Sequence, residues 1–330
     1  MINLNFNDIN KIKNGKENDL FINNSNWDLI VIGAGPGGLN SGLYARRKGL
    51  KVGIIADKIG GQLNNTSSVE NYLGFSFVGG EELSNIFYKH VKSLDIPLKD
   101  SRVKKIEKDL KNDNFKITLD NDTILISKTV IIATGGNPRK LNIKGEEEHR
   151  GKGVSYCAIC DGPFFKDKKI AVAGGGNSAI EAAIDLSKIA KEVLIIHRSN
   201  FRADDLLLEE IKNNPKIKYL LNTEIKEIKG DKIINSLLLF DKETNKEYSI
   251  PIEGLFVEIG TIPNSNLVKD LVTLNNHNEI IVDNFQQTSL EGLYAVGDVT
   301  NQPFKQIIIS AAEGAKAALA INNYLNKKRN

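Results

Sequence analysis

Asp28-Leu-Ile-Val-Ile32 runs straight into Gly33-Ala-Gly-Pro-Gly-Gly38, and this junction decides the fold. A short continuous apolar run reads as a buried parallel strand. The glycines after it fit G-x-G-x-x-G. Leu39 to Gly49 then reads as a helix rich in small residues, and Val52 to Ala56 as a second strand. In such a βαβ unit each position has a physical duty: Gly33 makes the tight turn, Gly35 lets backbone approach a pyrophosphate, and Gly38 lets helix meet strand. The positive end of the helix then faces the phosphates.

A second copy lies downstream. Lys169-Ile-Ala-Val-Ala173 is a strand, Gly174-Gly-Gly-Asn-Ser-Ala179 fits G-x-G-x-x-A, Ala182 to Ile189 continues a helix, and Val193 to Ile196 is a strand. Gly33 to Ile55 and Gly174 to Ile196 both span 22 residues, so the two frames superpose with a shift of 141. A lone glycine motif is weak evidence, whereas two in one frame predict two dinucleotide sites in an α/β protein with two Rossmann-like, three-layer domains. The same shift sets Asp57 opposite Arg198. An acid at the end of the second strand suits a free ribose 2′-hydroxyl, as in FAD or NAD, and an arginine suits a 2′-phosphate. Arg198, helped by Arg202, therefore points to NADPH, although two arginines on a strand-end loop also read as a solvated face.

Between the copies, Arg102–Ile106, Phe115–Leu119 and Thr123–Ile126 alternate apolar and polar residues, as in an antiparallel meander. Val130-Ile-Ile-Ala-Thr-Gly-Gly136 returns as a buried strand, and Gly292-Leu-Tyr-Ala-Val-Gly-Asp298 is another, followed by a closing helix from Gln306 to Asn323. Ahead of Trp27, nine of 26 residues are Asn, and residues 1–26 are expected to form a flexible extension with no signal-peptide pattern, hence a cytoplasmic protein.

The 330 residues, with 44 Lys+Arg against 41 Asp+Glu, give a formal charge of +3, no footprint for nucleic acid or an anionic membrane. No apolar run reaches the roughly 20 residues of a membrane helix. The chain has two cysteines, Cys157 and Cys160, and four scattered histidines, so neither a disulfide framework nor a zinc site is expected and no metal is assigned. C-x-x-C closes a small ring suited to a reversible dithiol couple, against the alternative of two inert buried thiols. Asp161 follows directly. Its carboxyl suits either general acid–base work or the capping of the Asp-Gly-Pro turn.

Taken together these motifs resemble low-molecular-weight thioredoxin reductase, from Trp27 to about Asn326. They are Gly33–Gly38, Gly60-Gly-Gln-Leu63, Val69-Glu-Asn-Tyr72, Ala133-Thr-Gly135, Cys157-Ala-Ile-Cys-Asp161, Gly174–Ala179, His197-Arg198 with Phe201-Arg202-Ala203, Gly297-Asp298 and Lys305-Gln306-Ile307. Cys160-Asp-Gly-Pro-Phe-Phe165 and Lys305-Gln-Ile-Ile-Ile309 are also similar to the reductase module of the alkyl hydroperoxide reductase flavoprotein. The resemblance implies a split FAD domain, 27–142 with 262–330, and an inserted NAD(P)H domain, 143–261, that carries the cysteines and rotates on hinges near Leu141–Gly145 and Gly260–Asn264. It places FAD at Gly33, Gly35, Pro36 and Gly38, with Gln62, Thr66, Asn71, Thr134, Gly135, Gly297, Asp298, Gln306 and Ile307. NADPH is placed at Gly174, Gly176, Asn177, Ser178, His197, Arg198 and Arg202. Ser199 stands where many NADPH-using relatives have a second Arg, so NADH is kept as the alternative.

The implied activity is that of a thioredoxin-disulfide reductase acting as a homodimer: electrons pass from NADPH through FAD to the Cys157–Cys160 disulfide, and Asp161 manages a proton. Cys160 faces the flavin, and Cys157 attacks the disulfide of a thioredoxin-like protein. The alternatives are reduction of a peroxiredoxin carrier with NADH, an NAD(P)H oxidase, and a flavin-binding sensor without turnover, which would need only one nucleotide site.

Overall fold

The computed structural model describes residues 20–66 and 69–329. The deciding strand runs Ser25–Ala34 (β1) and leads into helix α1 (Pro36–Arg47) and strand β2 (Val52–Ile59), which lies parallel to β1 with Leu29 opposite Val52. Leu29 and Val31 pack into one hydrophobic cluster and Ile30 and Ile32 into another. Both faces of β1 are thus covered, which is why its sequence is continuously apolar rather than alternating. Helix α2 (Gly80–Lys92) and strand β3 (Leu98–Asp100) follow, β3 adding parallel to β2. The meander is β4 (Val103–Asp109), β5 (Asn114–Leu119) and β6 (Ile124–Ile132).

Two expectations are corrected here. The third meander strand and the buried strand from Val130 are one strand, β6, antiparallel to β5 and parallel to β1. The polar Ser127-Lys-Thr129 step that suggested a break is absorbed: the Ser127 hydroxyl donates to the Thr129 carbonyl and the Thr129 hydroxyl to the Asp28 carbonyl, both at 2.7 Å. The flexible extension expected over residues 1–26 is corrected from Leu20 onward. Phe21 is buried and stacks on Trp27 with ring centroids 4.9 Å apart, and β1 begins at Ser25. Residues 1–19 lie outside those described.

The second glycine motif sits in a separate sheet. Its elements are β7 (Val154–Ser155), α3 (Ala158–Asp161), β8 (Lys169–Ala173), α4 (Asn177–Ser187), β9 (Glu192–Ile196), α5 (Asp205–Asn213), β10 (Ile217–Leu220), an antiparallel trio β11 (Thr223–Gly230), β12 (Ile234–Asp241) and β13 (Lys246–Pro251), and β14 (Gly254–Val257). The five-stranded sheet is all parallel, in the order β10-β9-β8-β14-β7. Helices α4 and α5 cover one face, and the β11–β13 sheet covers the other through Ile225, Ile228, Leu237 and Leu239.

The chain then returns to the first sheet with β15 (Leu293–Ala295), parallel to β6, and the long helix α6 (Ile307–Arg329). That sheet has seven strands, in the order β3-β2-β1-β6-β5-β4, with β15 also on β6. The small residues at the start of α6 have a packing reason: a Cβ on Gly314 would lie 2.2 Å from the Gly37 carbonyl oxygen of α1. Two compact units result. One takes the described residues up to Asn137 and those from Pro263 onward, and the other is Pro138–Ile262; the boundaries expected from the sequence were 142/143 and 261/262. Among the described residues no helix is long and apolar enough to cross a membrane.

Candidate active site

In the first unit, Gly33 has φ +111°, a conformation that strongly favours glycine, and a Cβ there would lie 2.2 Å from the Ala133 carbonyl oxygen. A Cβ on Gly38 would lie 2.0 Å from the Gly33 carbonyl oxygen, so helix and strand touch at that point. Gly35 is different: a Cβ there meets nothing within 4 Å. In front of it, α1 begins with no side-chain cap and no acid in its first turn, with Pro36 at its start. Free N–H groups, the helix dipole and an open concavity suit a pyrophosphate. Gly61 closes in beside this cradle, since its own Cβ would be 3.4 Å from the Gly35 Cα.

Around the cradle, several of the residues singled out in the sequence are brought together. Asn71 Nδ2 donates to Gln306 Oε1 at 3.2 Å, next to Ile307 at the head of α6. Thr134 Oγ1 donates to the Asn264 carbonyl at 2.8 Å, and the Asn264 backbone N–H donates to the Gly135 carbonyl at 2.9 Å. Gly297, at φ +76°, donates its N–H to the buried Glu313 at 2.7 Å, and burial pushes the neighbouring Asp298 carboxyl up. Two residues are occupied otherwise. Asp57 Oδ2 accepts from Arg102 Nε at 2.7 Å, and the Gln62 amide donates to the Gly136 carbonyl at 3.0 Å and to Asn137 at 2.9 Å. Thr66 follows the short helical turn Gly61–Asn65 as its C-cap.

The second unit repeats the pattern. A Cβ on Gly174 would lie 2.6 Å from the Ala179 Cβ, whereas one on Gly176 meets nothing within 4 Å. Helix α4 also starts with no side-chain cap and no acid in its first turn. His197 is buried against the turn, its ring 2.4 Å from where a Gly175 Cβ would be, and the Arg202 N–H donates to the Gly175 carbonyl at 2.7 Å. The loop carrying Arg198 and Arg202 is therefore tied to the phosphate-type turn. Both guanidinium groups are exposed and, among the described residues, neither is in an ion pair. Burial, with the charges of Arg202 and Arg198, holds the His197 imidazole below its usual range. Asn177 is committed to structure, exchanging hydrogen bonds of 2.8 and 2.9 Å with Asp204, and Ser178 is exposed beside it on the first turn of α4.

Cys157 and Cys160 are joined by a disulfide that ties the N-cap of α3 to its third residue. The turn is held from several sides. Cys160 N–H donates to Cys157 Sγ at 3.2 Å, Cys157 N–H to Ser155 Oγ at 3.0 Å, and Asp161 N–H to the Cys157 carbonyl at 3.1 Å. Ser155 Oγ donates to Asp161 Oδ2 at 2.6 Å. Burial raises the Asp161 carboxyl, and the Ser155 hydrogen bond only opposes it. Its carboxyl is thus engaged with Ser155 rather than capping the turn that follows.

Two residues at this turn carry no motif in the sequence. Ser155, two positions before Cys157, is an isolated hydroxyl with no pattern around it. Glu258 comes from the end of β14, 100 residues away, and its Oε1 accepts from the Ala158 N–H at 3.3 Å. An acid ending an otherwise apolar strand is the one signal that could have found it.

Comparison with known proteins gives the family and the fold. The family described as "Pyridine nucleotide-disulphide oxidoreductase" matches residues 27–317. A curated relative, "NADH dehydrogenase" of Bacillus subtilis, is 40% identical over 317 residues, 96% of this chain and 62% of the relative. An alkyl hydroperoxide reductase component of Staphylococcus aureus is 41% identical over 307 residues, 92% of this chain and 60% of the relative. The chain thus spans about 60% of the length of these curated relatives. Among solved structures, thioredoxin reductase from Streptococcus pyogenes matches with TM-score 0.87 and 36% identity over 92% of this chain and 99% of that one. Thioredoxin reductase from Giardia duodenalis matches with TM-score 0.86 and 30% identity over 91% and 99%.

Proposed function

The chain belongs to the pyridine nucleotide-disulphide oxidoreductase family, and from that premise we propose that it is an FAD-dependent thioredoxin-disulfide reductase drawing on NADPH. It is an oxidoreductase by family; the cofactor assignments, the nucleotide and the partner are the proposal. The observation that carries it is the bridged Cys157–Cys160 pair beside Asp161, whose carboxyl burial pushes up, in a unit with its own glycine turn. When bound at Gly33–Gly38, FAD would supply two-electron transfer between the nucleotide and that disulfide.

The chain's residues do the rest. Two electrons and two protons open the Cys157–Cys160 bond, leaving Cys160 a thiol, Cys157 a thiolate and the second proton on a carboxyl of the turn. The Cys157 thiolate attacks one sulfur of the partner disulfide and expels the partner's other sulfur as a thiolate. Cys160 then attacks Cys157 Sγ, releasing the second partner thiol and closing the ring again. Asp161, with its carboxyl bonded to Ser155 two positions before Cys157, would hold the proton that a cysteine gives up or receives.

A raised carboxyl keeps its proton to higher pH, so this donation is present below the Asp161 folded pKa and lost as pH rises through it. Asp161→Asn is expected to lower kcat/KM for the partner by about 10²-fold and to remove that alkaline limb of the pH profile. A profile that keeps its limb in the variant assigns the limb to another group.

The deciding experiment measures oxidation of NADPH and of NADH, each with and without a thioredoxin. Turnover that depends on thioredoxin supports the proposal, and equal turnover without it points to an oxidase. A second reading, reduction of a peroxiredoxin-type carrier from NADH, is favoured by the names of the curated relatives and by Ser199 beside Arg198. It is distinguished at the same site. Replacing both Arg198 and Arg202 by Ala is expected to raise KM for NADPH about 10- to 100-fold and leave KM for NADH nearly unchanged, the effect of losing charge-assisted bonds to a 2′-phosphate. A wild-type preference for NADH, untouched by the double substitution, gives the site to the second reading.

A further inference from the structure

Glu258 occupies a wall shared by the second glycine turn and the cysteine turn. Its backbone is fixed: its N–H donates to the Ala173 carbonyl at 2.8 Å, and its own carbonyl oxygen lies 2.3 Å from where a Gly174 Cβ would be. Its side chain reaches Ala158, the residue just after Cys157, and accepts that N–H at 3.3 Å. Among the described residues it has no ion-pair partner. Glu258 is half-buried, and a neutral glutamine would serve this hydrogen bond without the cost of withdrawing a charge from water, so a carboxyl at this position calls for a use.

We propose that Glu258 is a second proton-holding residue of the cysteine turn, taking up a proton when the Cys157–Cys160 disulfide is reduced and giving it back when the disulfide re-forms. It is a positioning residue, since it bears on the sulfurs through the Ala158 peptide. The proposal deepens the function above and rests on it in taking the pair as a couple that opens and closes. With the disulfide closed, burial pushes the Glu258 carboxyl up to about 7, against the weaker pull of the Ala158 N–H. Reduction then adds charge nearby. Disulfide, two electrons and two protons give one thiol, one thiolate and one protonated Glu258. The electrons come from reduced nucleotide in the enzyme, or from dithiothreitol in a test. The new thiolate is a like charge and raises the carboxyl further, so the proton enters around neutral pH.

The other titratable groups on the surrounding elements are Asp161 on α3, Tyr156 just before Cys157, Lys169 at the far end of β8, Glu181 and Asp185 on α4, Glu192 on β9, His197, Arg198 and Arg202 beyond it, and Glu253 just before β14. The Tyr156 hydroxyl donates to Glu146, and Asp185 and Glu192 are paired with Lys188 and Lys218. Glu253 Oε2 accepts from the Lys169 N–H at 2.9 Å, and Asp161 is bonded to Ser155. Burial, rather than any of these charges, sets Glu258.

The test equilibrates the full-length, FAD-loaded protein with mixtures of reduced and oxidised dithiothreitol from pH 6 to 9, reading cysteine thiols by alkylation and mass. E258Q keeps an acceptor for Ala158 and cannot titrate, whereas E258D keeps the titration. One extra proton is worth up to tenfold in the equilibrium constant per pH unit. Between pH 7 and 8 the wild-type constant for reduction is therefore expected to fall about three- to tenfold more than that of E258Q, with E258D following the wild type. The pH dependence of dithiothreitol itself cancels in the ratio. Parallel curves for wild type and E258Q overturn the proposal. If E258Q does not fold, difference infrared on wild-type protein labelled with ¹³C-glutamate decides: a protonated Glu band must appear on reduction, and its absence overturns the proposal. Failure of the parent function looks different: a pair that opens with dithiothreitol, keeping the pH difference, yet stays closed with both nucleotides removes the reductase reading and leaves Glu258 its role.

Discussion

Cys160→Ser is expected to abolish reduction of a thioredoxin disulfide, by on the order of 10³-fold or more, the scale on which loss of a nucleophile shows. The bridge between Cys157 and Cys160 makes the reason concrete. A lone Cys157 can still form a mixed disulfide with the partner, but no second thiol remains to resolve it. The variant should therefore accumulate as a covalent one-to-one complex, visible by non-reducing electrophoresis, while bleaching of FAD absorbance by nucleotide continues. The two observables separate the readings. Intact partner reduction in Cys160→Ser would end the dithiol mechanism, and unchanged oxygen-dependent nucleotide oxidation would identify an oxidase that never used the pair.

The parts of this site that are legible in the sequence are those written in contiguous residues. Both glycine turns have a spacing imposed by backbone geometry, and both middle glycines, Gly35 and Gly176, face open space as a pyrophosphate requires. The cysteine pair and Asp161 are likewise local. What is not legible depends on closure over distance. Glu258 meets Ala158 from 100 positions away, and Arg102 reaches Asp57 from 45. No periodicity encodes either meeting. Phe21 is hidden for another reason: one aromatic residue in an asparagine-rich stretch does not change its composition, yet its ring has only to find Trp27 to fasten the entry into β1. The single strand β6 looks broken in the sequence because Ser127 and Thr129 resemble turn residues, until their hydroxyls are seen to be satisfied by backbone carbonyls.

Two substitutions in one glycine turn, at Gly35 and Gly38, test the proposed FAD site most sharply. Gly38→Val drives a Cβ to within 2.0 Å of the Gly33 carbonyl oxygen and 3.2 Å of the Ala133 Cβ, against backbone that cannot yield without separating α1 from β1. Overpacking of this kind costs about 3 kcal/mol or more, so the variant is expected to lose Tm and to purify without FAD. Gly35→Val carries the same added side chain, but its Cβ meets no atom of the protein within 4 Å, and its φ of −76° is open to any residue. Its apoprotein should keep the wild-type Tm, with stability changed by no more than about 0.5 kcal/mol. Yet the side chain would stand where the cofactor phosphates approach the free N–H groups of α1, and FAD affinity should fall by about 10²-fold or more, as several charge-assisted bonds are lost together. Flavin titration of the apoproteins alongside thermal melts reads both quantities. If Gly35→Val retains FAD at full affinity, the cradle at the start of α1 is not the pyrophosphate site, whatever the fate of Gly38→Val; if both variants melt early, the open space in front of Gly35 is not what separates them.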